Sequence, residues 1–152
     1  MAGWNSLAAA DPRLAKLGTK LISATGRAFL ATTRKDGSPR VHPVCPVITP
    51  DAVYVGIIKE SPKYQDLLRD GRYVLHAVPG PADAEFWIEG RARFLGVAEH
   101  DALRERIQIL NAAAAGTLFE LDLASAHGTI FSPGENNTPI PDRRHWHAER
   151  NS

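Results

Sequence analysis

Ser61-Pro62-Lys63 joins a hydroxyl at a helix-capping position, a proline suited to the first helical turn and a lysine one residue on, directly after Lys59-Glu60 and an apolar run. The free N–H groups and partial positive charge at a helix start attract anions, and a lysine there adds a full charge. A phosphate monoester, with close to two negative charges, suits such a place. A hydrogen bond to it from a charged donor is worth about 1.5–3 kcal/mol. Ser61 and Lys63 are therefore candidate phosphate ligands, and Lys59 on the same loop offers a second positive charge. The same pattern also serves an ordinary capped surface helix, so spacing alone leaves both readings open.

Three other places carry residues with chemistry. His42 lies in a stretch punctuated by Pro39, Pro43, Pro46 and Pro50. Imidazole is the side chain suited to proton transfer near neutral pH, so His42 could donate a proton or orient a substrate, or simply bond a carbonyl from a half-buried strand. Cys45 is either a redox-sensitive thiol or an inert buried one. His145 and His147 share one face of an extended tail, but two imidazoles without a third ligand at fixed spacing read as a solvated tail, and no metal site is assigned.

The elements that must position these residues follow from periodicity. From Asp11, Leu14, Leu17, Leu21 and Ile22 form the apolar stripe of a leading helix within residues 1–26, stopped by Gly26. Residues 27–33 read as a strand, Asp36-Gly37 as a hairpin turn and residues 40–48 as a second strand. Its prolines exclude a regular central strand, so it should be an edge or bulged strand with backbone carbonyls left for a non-protein partner. A third strand, 53–58, pairs with it, and Gly56 marks a bulge or the close approach of a ligand. A helix follows from Pro62 to about Asp70, with Tyr64, Leu67 and Leu68 on its buried face and Gly71 as its stop. Strands come next at 73–78 and 86–97, the latter bent at Gly90 and Gly96, then a helix over 101–115 with Leu103, Ile107 and Leu110 inward and Gly116 ending it. Segments 118–123 and 129–131 supply a last strand pair, and a polar tail from 132 to 152 forms a loop and a short terminal strand. About six strands with few helices give a mainly β chain: a small closed sheet with helices packed outside it.

The 152 residues fit a single domain spanning 1–152, long enough to bury roughly 70% of its unfolded surface. Eighteen basic residues against 17 acidic ones, with no basic face, argue against a nucleic-acid partner. One cysteine excludes an intramolecular disulfide framework and fits a reducing compartment. The apolar runs are too short to cross a bilayer, and the N-terminus lacks the pattern of a signal peptide. The expectation is a cytoplasmic soluble protein with no membrane partner.

The ordered set Phe29-Leu30-Ala31-Thr32-Thr33, Asp36-Gly37-Ser38-Pro39, Val41-His42-Pro43-Val44, the Ser-x-Lys helix start and Ile88-Glu89-Gly90-Arg91-Ala92 resembles the pyridoxamine phosphate oxidase-like, FMN-binding split barrels. The likeness runs from about Arg27 to Leu95. It implies a six-stranded split β-barrel, a homodimer, and FMN or a related deazaflavin in a groove between subunits. Carried over residue by residue, it sets the flavin ring against His42, Pro43, Val44 and Cys45 and the phosphate on Ser61 and Lys63. Glu85, Phe86 and Trp87 match the positions from which the other subunit reaches the cofactor, Trp87 either stacking or packing. The chain departs from many relatives at Ile57, where they have threonine, and at Pro62, where they have arginine, which removes two phosphate donors. Lys59 could compensate, or the site could prefer the singly charged phosphodiester of a deazaflavin. Glu85 stands where the true oxidases have glutamine. The tail Asp142-Arg143-Arg144-His145-Trp146-His147 does not align with the substrate-gripping pattern of those oxidases, so vitamin B6 oxidation is not expected. The implied activity is a flavin-dependent oxidoreductase acting on a small conjugated or heteroaromatic molecule, with His42 the one catalytic candidate. The alternatives are a deazaflavin-dependent reductase of the same fold, a non-catalytic flavin or haem carrier, and a barrel whose cofactor site has decayed.

Overall fold

The computed structural model describes residues 2–149. Asp11 divides the leading helical segment in two, because the residue before a proline is pushed out of the α region. At φ −139° it ends α1 (Trp4–Ala10) and caps α2 (Pro12–Thr25), its side chain accepting the Leu14 N–H at 3.0 Å. The single leading helix expected over 1–26 is thus two. The second carries the expected stripe, with Leu14, Leu21 and Ile22 buried and Gly26 closing it at φ 64°.

Eight strands follow: β1 (Ala28–Thr33), β2 (Pro39–Val44), β3 (Pro46–Ile48), β4 (Val53–Ile57), β5 (Arg72–Ala77), β6 (Glu85–Phe94), β7 (Thr117–Ser132) and β8 (Ile140–His147). They form one antiparallel sheet in the order β2-β1-β5-β6-β7-β4-β3, with β8 added along the C-terminal half of β7. Helices α3 (Pro62–Arg69) and α4 (Val97–Leu110) interrupt them.

The sheet does not close, contrary to the closed sheet expected. β2 pairs with β1 and β3 with β4, and among the described residues no ladder joins these two ends. The prolines are the reason. Pro43 and Pro46 lack the N–H that a continuous ladder needs, so the expected strand over 40–48 becomes two edge strands joined at Cys45. The strand count rises for another reason: segments 118–123 and 129–131 belong to one 16-residue strand, and the tail supplies a full eight-residue strand rather than a short one. In β7 Ala124 is the extra residue of a bulge opposite Glu89 and Gly90, as the bend expected at Gly90 implied. There the backbones come so close that a Cβ on Gly90 would lie 1.9 Å from the Asp122 carbonyl oxygen.

Three local readings need correction. Gly56 forms no bulge, pairing with Leu118 in an unbroken ladder; a Cβ there would meet the Ala115 carbonyl at 2.4 Å, so the chain's own backbone accounts for the glycine. The fourth helix runs from 97 to 110, not 101 to 115, because Asn111 leaves the helix and donates its side-chain amide to the Gly26 carbonyl at 3.0 Å. Of its expected stripe Ile107 is buried and Leu110 is exposed. In α3 Tyr64 and Leu67 are buried but Leu68 is exposed, and Asp66 takes the inward place; the helix ends on extended Asp70 rather than on Gly71.

The barrel interior, centred on Leu30, Leu75, Phe86, Ile88 and Phe119, is plugged by α2 and α3. A smaller cluster around Tyr54, Leu95, Ile107 and Leu118 lies beneath α4. On the outer face of β2 and β1, Phe29 is 43% and Val41 60% exposed. Among the described residues no helix is long and apolar enough to cross a membrane.

Candidate functional site

The start of α3 faces β2 through a buried carboxylate. In the β1–β2 register Thr32 stands opposite Arg40, Leu30 opposite His42 and Ala28 opposite Val44. Directly opposed residues share a face, and Thr32, Leu30 and Ala28 are buried, so Arg40, His42 and Val44 turn to the inner side while Val41 and Pro43 turn outward. Asp66 of α3, 3% exposed, accepts hydrogen bonds from Thr32 Oγ1 (2.8 Å), Arg40 Nε (2.7 Å) and Arg69 Nη2 (2.9 Å). Burial pushes its pKa upward, but the Arg40, Thr32 and Arg69 donors outweigh it and hold the carboxyl below its usual range. Asp66 therefore stays charged and pins Arg40 beside the helix start.

Lys63 Nζ donates to Ser61 Oγ at 2.8 Å. Ser61 sits at the helix-capping position, yet its hydroxyl makes no capping bond to the backbone, so the capping role read from the sequence is replaced by a contact with Lys63. Burial and then the charge of Arg40 lower the Lys63 pKa. Arg40, Lys63 and the Ser61 hydroxyl thus lie together at the start of α3, where the Asp66 carboxylate is already engaged by two arginines. Such an arrangement of donors has the chemistry to hold an anion. Lys59 lies exposed in the turn before α3. Arg40 went unassigned in the sequence reading. The signal for it was its two-residue spacing from His42, which puts both on one strand face.

The remaining candidates divide between the two faces of the sheet. Cys45, half-buried at the β2–β3 junction, contacts Arg27 Nη1 at 3.4 Å. Phe86 is fully buried and packs edge-on to Trp4 at 5.9 Å. Glu85 and Trp87 alternate with it, and so face outward, away from Arg40 and His42. Glu85 pairs in register with Thr129, which pairs with Arg143. One chain therefore does not bring Glu85 and Trp87 together with Ser61 and Lys63.

Trp87 is the centre of a cross-strand stack. Its indole lies parallel to His76 (5.7 Å, 7°) on one side and His127 (4.8 Å, 10°) on the other. Both faces are taken, so Trp87 packs and can offer a ligand only its edge. His127 is in turn linked to Ser125 and Glu89, a connection that sequence reading missed because the three residues lie on two different strands. Burial foremost lowers the His127 pKa, Glu89 opposes this, and His147 and His145 reinforce it.

No family model matches the chain, and no curated protein matches it significantly in sequence. Solved structures do match its fold. A haem-binding protein from Mycobacterium smegmatis superposes with a TM-score of 0.67 at 18% identity, over 88% of this chain and 58% of that one. A pyridoxamine 5'-phosphate oxidase-related, FMN-binding protein from Nostoc punctiforme gives 0.56 at 10% identity, over 91% and 96%. A Clostridium acetobutylicum protein of the pyridoxinephosphate oxidase family, related to general stress protein 26, gives 0.56 at 12% identity, over 86% and 93%. This chain thus spans little more than half of the mycobacterial protein. The fold is that of the pyridoxamine phosphate oxidase-like split barrels, as the ordered motifs implied.

Proposed function

We propose that the chain is a flavin-binding oxidoreductase of the split-barrel type, acting on a small conjugated or heteroaromatic molecule. The observation that carries this reading is the convergence of Arg40, Lys63 and Ser61 at the start of α3, held by Asp66. The donor set fits a phosphate. Arg40 supplies the guanidinium that the sequence lacks at Pro62, and with two cations the pocket suits the dianionic monoester of FMN better than a deazaflavin diester. FMN, when bound, supplies the hydride chemistry.

The chain's own residues bind and orient. Arg40 and Lys63 fix the phosphate, Ser61 accepts from Lys63 and turns its proton to a phosphate oxygen, and the broken backbone around Pro43 and Cys45 borders the ring. His42, on the same face as Arg40, is the group placed to hold or deliver a proton there. Glu85 and Trp87 serve the site of a second copy. The uncovered face bearing Phe29 and Val41 is where that copy docks, and it lies on the same side of the sheet as Trp87.

Mass spectrometry of the small molecule released from purified protein, with FMN titration followed by flavin fluorescence, tests the reading. Retention of neither FMN nor deazaflavin overturns it. Binding without steady-state consumption of NAD(P)H or reduced deazaflavin would assign a carrier role instead. Val41→Glu should convert a dimer to a monomer on size-exclusion chromatography; an unchanged elution volume refutes the docking face.

A further inference from the structure

A second cluster of chemistry-bearing residues lies on the outer face at the β7–β8 edge, apart from the anion pocket. His127 of β7 stands directly across the ladder from His145 of β8, and His147, two residues on, falls on the same face. Their ring centroids are 6.3 Å (His127–His145), 5.9 Å (His127–His147) and 5.8 Å (His145–His147) apart. Two imidazoles at alternate positions of one strand and one from its neighbour thus gather on one face of the sheet, His145 stacked on the His127 ring and His147 edge-on to both.

His127 is oriented from its far side. Ser125 Oγ donates to Glu89 Oε1 at 2.7 Å, which commits the hydroxyl proton. His127 Nε2, 3.0 Å from the same oxygen, is then the donor to it, and the lone pair is left on Nδ1. A carboxylate acting through a hydroxyl to fix an imidazole tautomer is the support that metal-binding histidines use. The surroundings also favour a cation. A cavity of about 470 Å³ beside the cluster is lined by His147, Ser125, Glu89, Asp122 and Glu149 against the single positive charge of Arg91. Asp122 is 9% exposed, and its buried Oδ2 has no hydrogen-bond partner among the described residues.

We propose that His127, His145 and His147 form a binding site for a divalent transition-metal ion of borderline softness, such as Zn²⁺ or Co²⁺, with Ser125 and Glu89 as its positioning pair. As they stand, no group of three or more His, Cys, Asp or Glu side chains among the described residues is arranged to hold a metal. A tetrahedral ion with metal–nitrogen bonds of about 2.0–2.1 Å holds imidazole centroids about 5 Å apart, so the trio must close by about 1 Å. His145 and His147 are exposed in the single chain, so their side chains are the ones that move. Imidazole ligands select Zn²⁺, Co²⁺, Ni²⁺ or Cu²⁺ over Mg²⁺ and Ca²⁺.

Calorimetric titration of the EDTA-treated full chain with Zn²⁺ alone, and visible spectra with Co²⁺ alone, decide the matter. One ion per chain and intense tetrahedral Co²⁺ bands are expected. The double variant His145→Ala/His147→Ala, whose exposed positions spare the fold, should bind at least about 100-fold more weakly, and Ser125→Ala about 10–100-fold more weakly. His127→Phe, which keeps an aromatic ring on Trp87, should bind as poorly as the double variant. Equal Zn²⁺ affinity in wild type and double variant, no binding by wild type, or a response to haemin without Co²⁺ binding each overturns the proposal.

Discussion

Replacing Lys63 by methionine separates the cost of its charge from its use. The folded-state pKa of Lys63 lies below its ordinary value, so its charge opposes folding. That penalty is fully present below the lowered pKa and is relieved as pH rises toward the unfolded value of about 10.4. At pH 7, without an anion, Lys63→Met should therefore melt at the same temperature as wild type or higher. With FMN the order inverts. Loss of a charged hydrogen bond worth about 1.5–3 kcal/mol weakens binding about 10- to 150-fold. At a concentration 100 times the wild-type Kd, bound ligand stabilises wild type by about 2.7 kcal/mol, but a variant binding 100-fold more weakly by only about 0.4 kcal/mol. For a domain of this size these correspond to melting shifts of about 5–10 °C and about 1–2 °C. Circular dichroism melts with and without FMN, and with inorganic phosphate as a second probe, read both effects. A lower melting temperature without ligand, or a full ligand shift in the variant, would refute the electrostatic reasoning.

Three further outcomes follow from the same contacts. Asp66→Asn leaves Arg40 and Arg69 without their shared charge and should cost about 3 kcal/mol in urea denaturation at pH 7. Because the Asp66 pKa is lowered, that contribution is present above the unfolded carboxyl value of about 3.9 and is lost as pH falls through the folded one, so the gap should narrow at pH 3; a constant gap would show that packing, not charge, is at stake. Burial first, then Glu120, raises the Asp122 pKa, so its charge costs stability increasingly as pH rises above about 4. Asp122→Asn should accordingly gain about 1 kcal/mol at pH 7 and nothing at pH 3, a result that equal thermal shifts at both pH values would contradict. Gly90→Ala drives a methyl group into the Asp122 carbonyl and should lose at least about 3 kcal/mol; a melting temperature within 2 °C of wild type, roughly the smallest shift expected for 1 kcal/mol in a domain of this size, would show that the bulge can relax.

The amino-acid sequence by itself determined the local events. Apolar periodicity set the stripe of α2, Asp-Gly placed the first hairpin, and four prolines made residues 39–50 unfit for a continuous ladder. The ordered motifs also carried the barrel type. What the sequence left undecided were events in which one segment's geometry depends on a distant one. Whether α4 stopped at 110 or 115 hung on Asn111 reaching Gly26, 85 residues away. Whether 118–123 and 129–131 were two strands or one hung on β6, whose ladder holds the small and polar residues between them extended. The same division runs through the sites. Ser61 and Lys63 were legible because they are neighbours in the chain. Arg40 joins them only through Asp66, 26 residues later, and His127 meets His145 only across the β7–β8 ladder. Periodicity reports which side of its own element a residue faces. Packing alone decides which charges and rings from other elements share that side, and the Arg40, Ser61 and Lys63 group and the imidazole cluster are both made that way.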